Sequence, residues 1–86
     1  MHELGLAESI LTIVREHVPA DRAVAVRRVR VVVGDVAGVL PESLTFCFEA
    51  LAAGTPFGRA SLAIEAAAGR ELRVADIELD DVEAAS

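Results

Sequence analysis

Apolar residues recur at steps of three and four near the start of the chain and at steps of two further on, and this change of period separates helical from extended segments. Leu6, Ile10, Ile13, Val14, His17 and Val18 make one stripe on a helix that ends before Pro19. Ala23 to Val33 is rich in β-branched valine, which favours a pleated strand. Within it Val29, Val31 and Val33 share a face that should meet the helices. Gly34-Asp35 and Gly38 mark the following turn, where glycine tolerates conformations other residues avoid. Pro41 suits the first position of a second helix running to about Ala53, with Leu44, Phe48 and Leu51 as its buried stripe and Gly54 as its stop. Ser61 to Ala66 predicts a second strand with Leu62 and Ile64 inward, and Gly69 a tight connection into a third strand, Glu71 to Leu79. So short a connection predicts that these two strands form an antiparallel hairpin. In the third strand Leu72 and Val74 are even-numbered and Ile77 and Leu79 odd-numbered, so the pattern predicts a bulge near Ala75 and Asp76. The fold class is α+β, two helices packed on a three-stranded mixed sheet in the chain order α-β-α-β-β, with Asp80 to Ser86 expected as a short acidic fray.

Size and charge narrow the function classes. Eighty-six residues predict one domain, residues 1–86, with a modest core. A net charge of −6 with no lysine argues against nucleic acid as a partner, because phosphate-backbone affinity comes from many cationic contacts. Glu3 and Glu8 stand where a secretory signal would need a cationic start, and no apolar run approaches the roughly 18 residues of a membrane span. No membrane partner is therefore expected. The lone Cys47 has no intrachain disulfide partner, which fits a reducing compartment. The expected location is the cytoplasm.

The candidate chemistry lies at the first three residues. The Met1 amine and the His2 ring are within one chelate's reach, and the backbone amides of His2 or Glu3 can complete a nitrogen-rich plane of the kind that favours Ni(II) or Cu(II). Against this metal reading of Met1, His2 and Glu3 stands a solvated terminus with no role. The Glu3 carboxylate has two readings, a hydrogen bond to the imidazole or a favourable charge at a helix start. His17, near the end of the first helix, reads as a packed or capping group without a metal role. Cys47 reads as a small apolar core residue with no base to activate it. Arg27-Arg28-Val29-Arg30 reads as a salt-bridging sheet face, with a docking patch as the alternative. No Ser/His/Asp or phosphate-loop constellation occurs, so no catalytic residue is assigned and the chain is not read as an enzyme.

Four ordered segments carry a resemblance: Met1-His2-Glu3-Leu4-x-Leu6-Ala7-x-Ser9-Ile10; Val31-x-Val33-Gly34-Asp35-x-x-Gly38-Val39-x-Pro41-Glu42; Phe46-x-Phe48-Glu49-x-Leu51-x-x-Gly54-Thr55; and Gly69-Arg70-Glu71-Leu72-Arg73-Val74-x-x-Ile77-Glu78. Together they resemble the nickel metallochaperone family of hydrogenase maturation, HypA/HybF. The resemblance implies Ni(II) bound at the N-terminus and delivered to nickel-iron hydrogenase or urease maturation, with a nickel-handling GTPase and the hydrogenase large-subunit precursor as partners. Family members carry a zinc-binding insertion with two Cys-x-x-Cys pairs where this chain has Ala66-Ala67-Ala68-Gly69-Arg70, between about 66 and 71. Structural zinc takes about four Cys or His ligands, so no structural zinc is expected and the zinc subdomain reads as deleted. The alternative function is a metal-free interaction or assembly module that keeps the family fold. A short, strained hairpin makes exchange of the last strand a route to a homodimer.

Overall fold

The computed structural model describes residues 3–80. In chain order it has helix α1 (Glu3–His17), strand β1 (Val26–Gly34), helix α2 (Pro41–Ala52), strand β2 (Ser61–Ala67) and strand β3 (Leu72–Leu79). Short 3-10 turns at Ala20–Ala25 and Asp35–Ala37 enter and leave β1. The α+β architecture and the element order are as the apolar periods predict. The buried stripe of α1 is Ala7, Ile10, Leu11, Val14 and, just past its end, Val18, rotated from the expected one. Ile13 is half-buried at the rim and His17 is exposed. Ala7 is fully buried, and no apolar count gives so small a side chain that weight.

β1 starts at Val26 rather than Ala23. Behind Pro19 the Ala20–Ala25 segment turns as a 3-10 helix, with Arg22 N–H donating to Pro19 C=O at 2.9 Å, and buries Ala23 and Ala25 there. Val26, Val29, Val31 and Val33 then meet Leu44 and Phe48 of α2 and the α1 stripe in one core. A face that holds both 26 and 29 breaks a strict period of two. The break lies at Arg27: Val26 pairs with Leu79 and Arg28 with Glu78, so Arg27 is an extra residue. The bulge expected in β3 is also present. Arg30 pairs with Asp76 and Val31 with Val74, which leaves Ala75 over and brings Val74, Ile77 and Leu79 onto the core together.

The expected β2–β3 hairpin is corrected. The strand order is β2-β1-β3, with β1 parallel to β2 and antiparallel to β3. The β1-α2-β2 path is a crossover, as a parallel pair requires, and it puts the valine-rich strand in the centre, where both of its edges are hydrogen-bonded. The connection Ala68 to Glu71 arches over the end of β1 to reach the far side. Two strand spacings are about 9.5 Å, within the reach of five extended residue steps at about 3.3 Å each.

That arch explains Gly34, whose backbone is ordinary extended chain at φ −74° and ψ 149°. Its N–H donates to Glu71 C=O, and a Cβ at Gly34 would overlap the Gly69 carbonyl oxygen and come within 2.7 Å of Glu71 N. Glycine is needed there for close approach of two backbone segments. Only Gly38, at φ 68°, needs the left-handed region in this turn.

Candidate metal centre at the start of the first helix

Met1 and His2 lie outside the described residues, and Glu3 is the first residue of α1. What the structure places is the ground beneath the motif. The Glu3 carboxylate Oε2 accepts a hydrogen bond from Leu40 N–H at 3.0 Å. Leu40 is the N-cap of α2, its own side chain has no capping oxygen, and its carbonyl accepts the first helical bond, from Leu44 N–H at 3.0 Å. One carboxylate thus stands at the positive pole of α2 as well as in the first turn of α1, where negative charge is favourable on both counts. Neither reading of the Glu3 side chain from sequence included α2, because the contact joins residues far apart in the chain.

The loop that carries Leu40 is anchored in turn to the β2–β3 arch. The Asp35 carboxylate accepts from Gly69 N–H at 3.0 Å, and Val36 N–H donates to Gly69 C=O at 2.9 Å. The start of α1, the Asp35-to-Leu40 loop and the arch therefore share one end of the molecule. Leu4, Val36, Leu40 and Leu72 are large apolar residues left exposed on these segments.

The other candidates keep modest roles. His17 is exposed, and its Nδ1–H donates to Ile13 C=O at 2.8 Å, the capping contact expected near a helix C-terminus. Cys47 is a half-buried free thiol packed against the core. The arginine run is a salt-bridging face: Arg28 meets Glu78 at 3.3 Å, Arg27 meets Asp80 at 3.4 Å, and Arg30 lies between Glu65 at 2.8 Å and Asp76, whose Oδ2 accepts from Nε at 2.9 Å. The hydrogen bond from Arg30 holds the Asp76 carboxyl below the usual carboxylate range, and that bond in turn raises the Arg30 guanidinium. Among the described residues no group of three or more His, Cys, Asp or Glu could hold a metal ion, and no helix is long and apolar enough to cross a membrane.

Comparison with known proteins decides the family. A family described as "Hydrogenase/urease nickel incorporation, metallochaperone, hypA" matches residues 1–72. The chain belongs to the HypA family. The hydrogenase maturation factor HypA of Chlorobium luteolum is 41% identical over 70 residues, which cover 81% of this chain and 60% of that protein. Its Streptomyces avermitilis counterpart is 44% identical over 71 residues, 81% of this chain and 54% of that protein. In Chlorobium limicola the figures are 45% over 65 residues, 76% and 56%. The chain thus spans between 54% and 60% of the length of these HypA proteins. The HypA match stops at Leu72, the first residue of β3, so the Arg73-to-Glu78 part of the resemblance lies outside it. The family's described role is incorporation of a metal and names no catalysed reaction.

Proposed function

We propose that residues 1–86 are a nickel-binding unit of the HypA type that holds Ni(II) as cargo through the Met1 amine, the His2 imidazole and the backbone amides of His2 or Glu3. The single observation carrying this reading is the family match, which begins at Met1 and includes all three residues. The ligand chemistry agrees with it, since amine, imidazole and deprotonated amides form a nitrogen plane suited to Ni(II). The Glu3 carboxylate, hydrogen-bonded to Leu40 N–H, supports the reading in a second way. It ties the first turn of α1 to α2, so the residue that closes the motif is anchored to the fold.

In this reading the ion passes, in the cytoplasm, towards nickel-iron hydrogenase or urease maturation through a nickel-handling GTPase and the hydrogenase large-subunit precursor. The zinc insertion is missing between about 66 and 71, where the arch now runs directly from β2 to β3, and exchange of β3 between two copies is a route to a homodimer. Calorimetric titration of Ni(II) into tag-free protein beginning at Met1, beside His2→Ala, tests the site. One equivalent bound by the native chain, lost in His2→Ala and weakened below about pH 6.5 where imidazole protonates, is the expected result. No binding by the native chain would leave the metal-free interaction module. EDTA is expected to leave the nickel-free melting temperature unchanged, and a large drop would reveal a structural metal.

A further inference from the structure

The outer side of α2 carries a feature that the nickel reading does not use. Phe46 is 72% exposed, the most exposed large apolar side chain among the described residues, and it lies in a groove lined by Pro41, Glu42, Thr45 and Glu49 of α2 and by Ile64 of β2. β2 is an edge strand whose only partner among the described residues is β1, so its outer backbone N–H and C=O groups face the same side of the molecule as the groove. A helix beside a free sheet edge with an apolar cleft between them is the arrangement in which an extended peptide adds as a further strand. The main chain then supplies affinity, and alternate side chains enter the cleft.

Charge decides what such a segment carries. Glu42 and Glu49 stand one turn before and one turn after Phe46 on the same helical face, and among the described residues neither carboxylate has a hydrogen bond or ion pair. On the opposite face of the sheet Glu65, Asp76 and Glu78 are each matched by an arginine. A second copy of this chain would bring its own Glu42 and Glu49 to the same cleft, on top of a net charge of −6, and like charges across an interface oppose it. We propose that the α2–β2 groove binds an extended segment of another protein in which an apolar residue has an arginine two positions before it and another two positions after it, so that pairing with the β2 edge turns all three side chains towards α2, the apolar one packing on Phe46 and the arginines neutralising Glu42 and Glu49.

The probe is a synthetic seven-residue peptide, the length of β2, with a central valine, an arginine two positions to either side of it and threonine elsewhere, and the control is the same peptide with glutamate in place of arginine. Both are titrated into the full chain while backbone amide shifts are followed by NMR. Shifts confined to α2 and β2, slowed exchange of β2 amides, and no binding of the acidic control are expected. Phe46→Ser, at an exposed position that leaves the circular dichroism spectrum unchanged, is expected to weaken binding by about tenfold or more. Glu42→Lys with Glu49→Lys should abolish it and admit the acidic peptide instead. Shifts centred on β3, equal binding of both peptides, or undiminished binding by Phe46→Ser would overturn the proposal. So would sedimentation showing a native dimer that Phe46→Ser dissociates, since the occupant would then be a second copy.

Discussion

β2 and β3 flank the same central strand and finish their edges in opposite ways. β3 has a bulge at Ala75, charged side chains roped across to β1 through Arg30–Asp76 and Arg28–Glu78, and an arch locking its first residues over Gly34. β2 is also tied to β1 by an ion pair, Arg30–Glu65, but it runs through seven paired positions without a register shift, and the helix beside it leaves a phenylalanine in solvent between two carboxylates that have no ion pair among the described residues. Bulges and inward-tied charges are devices that keep an edge from pairing with another chain. The lesson is that, among the described residues, one edge of this sheet is closed by its own sequence while the other is left open, so an added strand from another chain should be sought at β2.

The largest break in this asymmetry comes from Gly34→Ala. Its Cβ meets backbone atoms of Gly69 and Glu71, which no rotamer change relieves, so a loss of about 3 kcal/mol is expected in denaturant unfolding. Amide exchange should rise first in β3, with β2 still protected, because the arch belongs to the β3 side. Equal exposure of both strands would show that the arch is not what fastens β3.

A smaller effect is expected from Glu3→Ala. Removing the acceptor of Leu40 N–H should cost about 1 kcal/mol, as loss of a helix cap does, while nickel stoichiometry stays unchanged because the proposed ligand is the amide. Loss of nickel together with stability would assign the carboxylate to the metal instead. Deleting Ala75 sharpens the comparison from the other direction. Leu72, Val74, Ile77 and Leu79 would then alternate strictly onto the core face, so thermal stability should move by less than about 1 kcal/mol, while a flattened β3 edge should begin to self-associate in sedimentation. Smallest is Asp76→Asn. The Asp76 carboxyl is held below its unfolded value by Arg30, so its contribution is present above about pH 4 and fades as pH falls through the lower folded value. The variant should match the native protein at low pH and be slightly less stable near neutrality, by an amount limited because the pair is exposed. The reverse order would refute that coupling.

How much was legible beforehand follows from the range of each interaction. Periods of three to four and of two located both helices and all three strands, and the parity change between Val74 and Ile77 located the β3 bulge, because these patterns record which face each residue must bury. The matching irregularity at Arg27 had a signal of the same kind, the odd spacing of Val26 from Val29. The hairpin expectation failed because a short connection limits reach without saying which strand lies between its ends. For the candidate site, Met1, His2 and Glu3 were legible as ligand types at chelate spacing, whereas Glu3 to Leu40 and Asp35 to Gly69 join residues more than thirty positions apart.

The sequence by itself determined the element types, the core-facing positions of the strands, the candidate ligands and the family, since each rests on local spacing or on ordered motifs. Only the tertiary structure decided that β1 is central, that Gly34 is a point of backbone contact rather than of unusual dihedral angles, and that Glu3 caps the second helix. Those outcomes depend on which distant segments meet in space, and burial against a particular neighbour, unlike a period, is not written in any short stretch of chain.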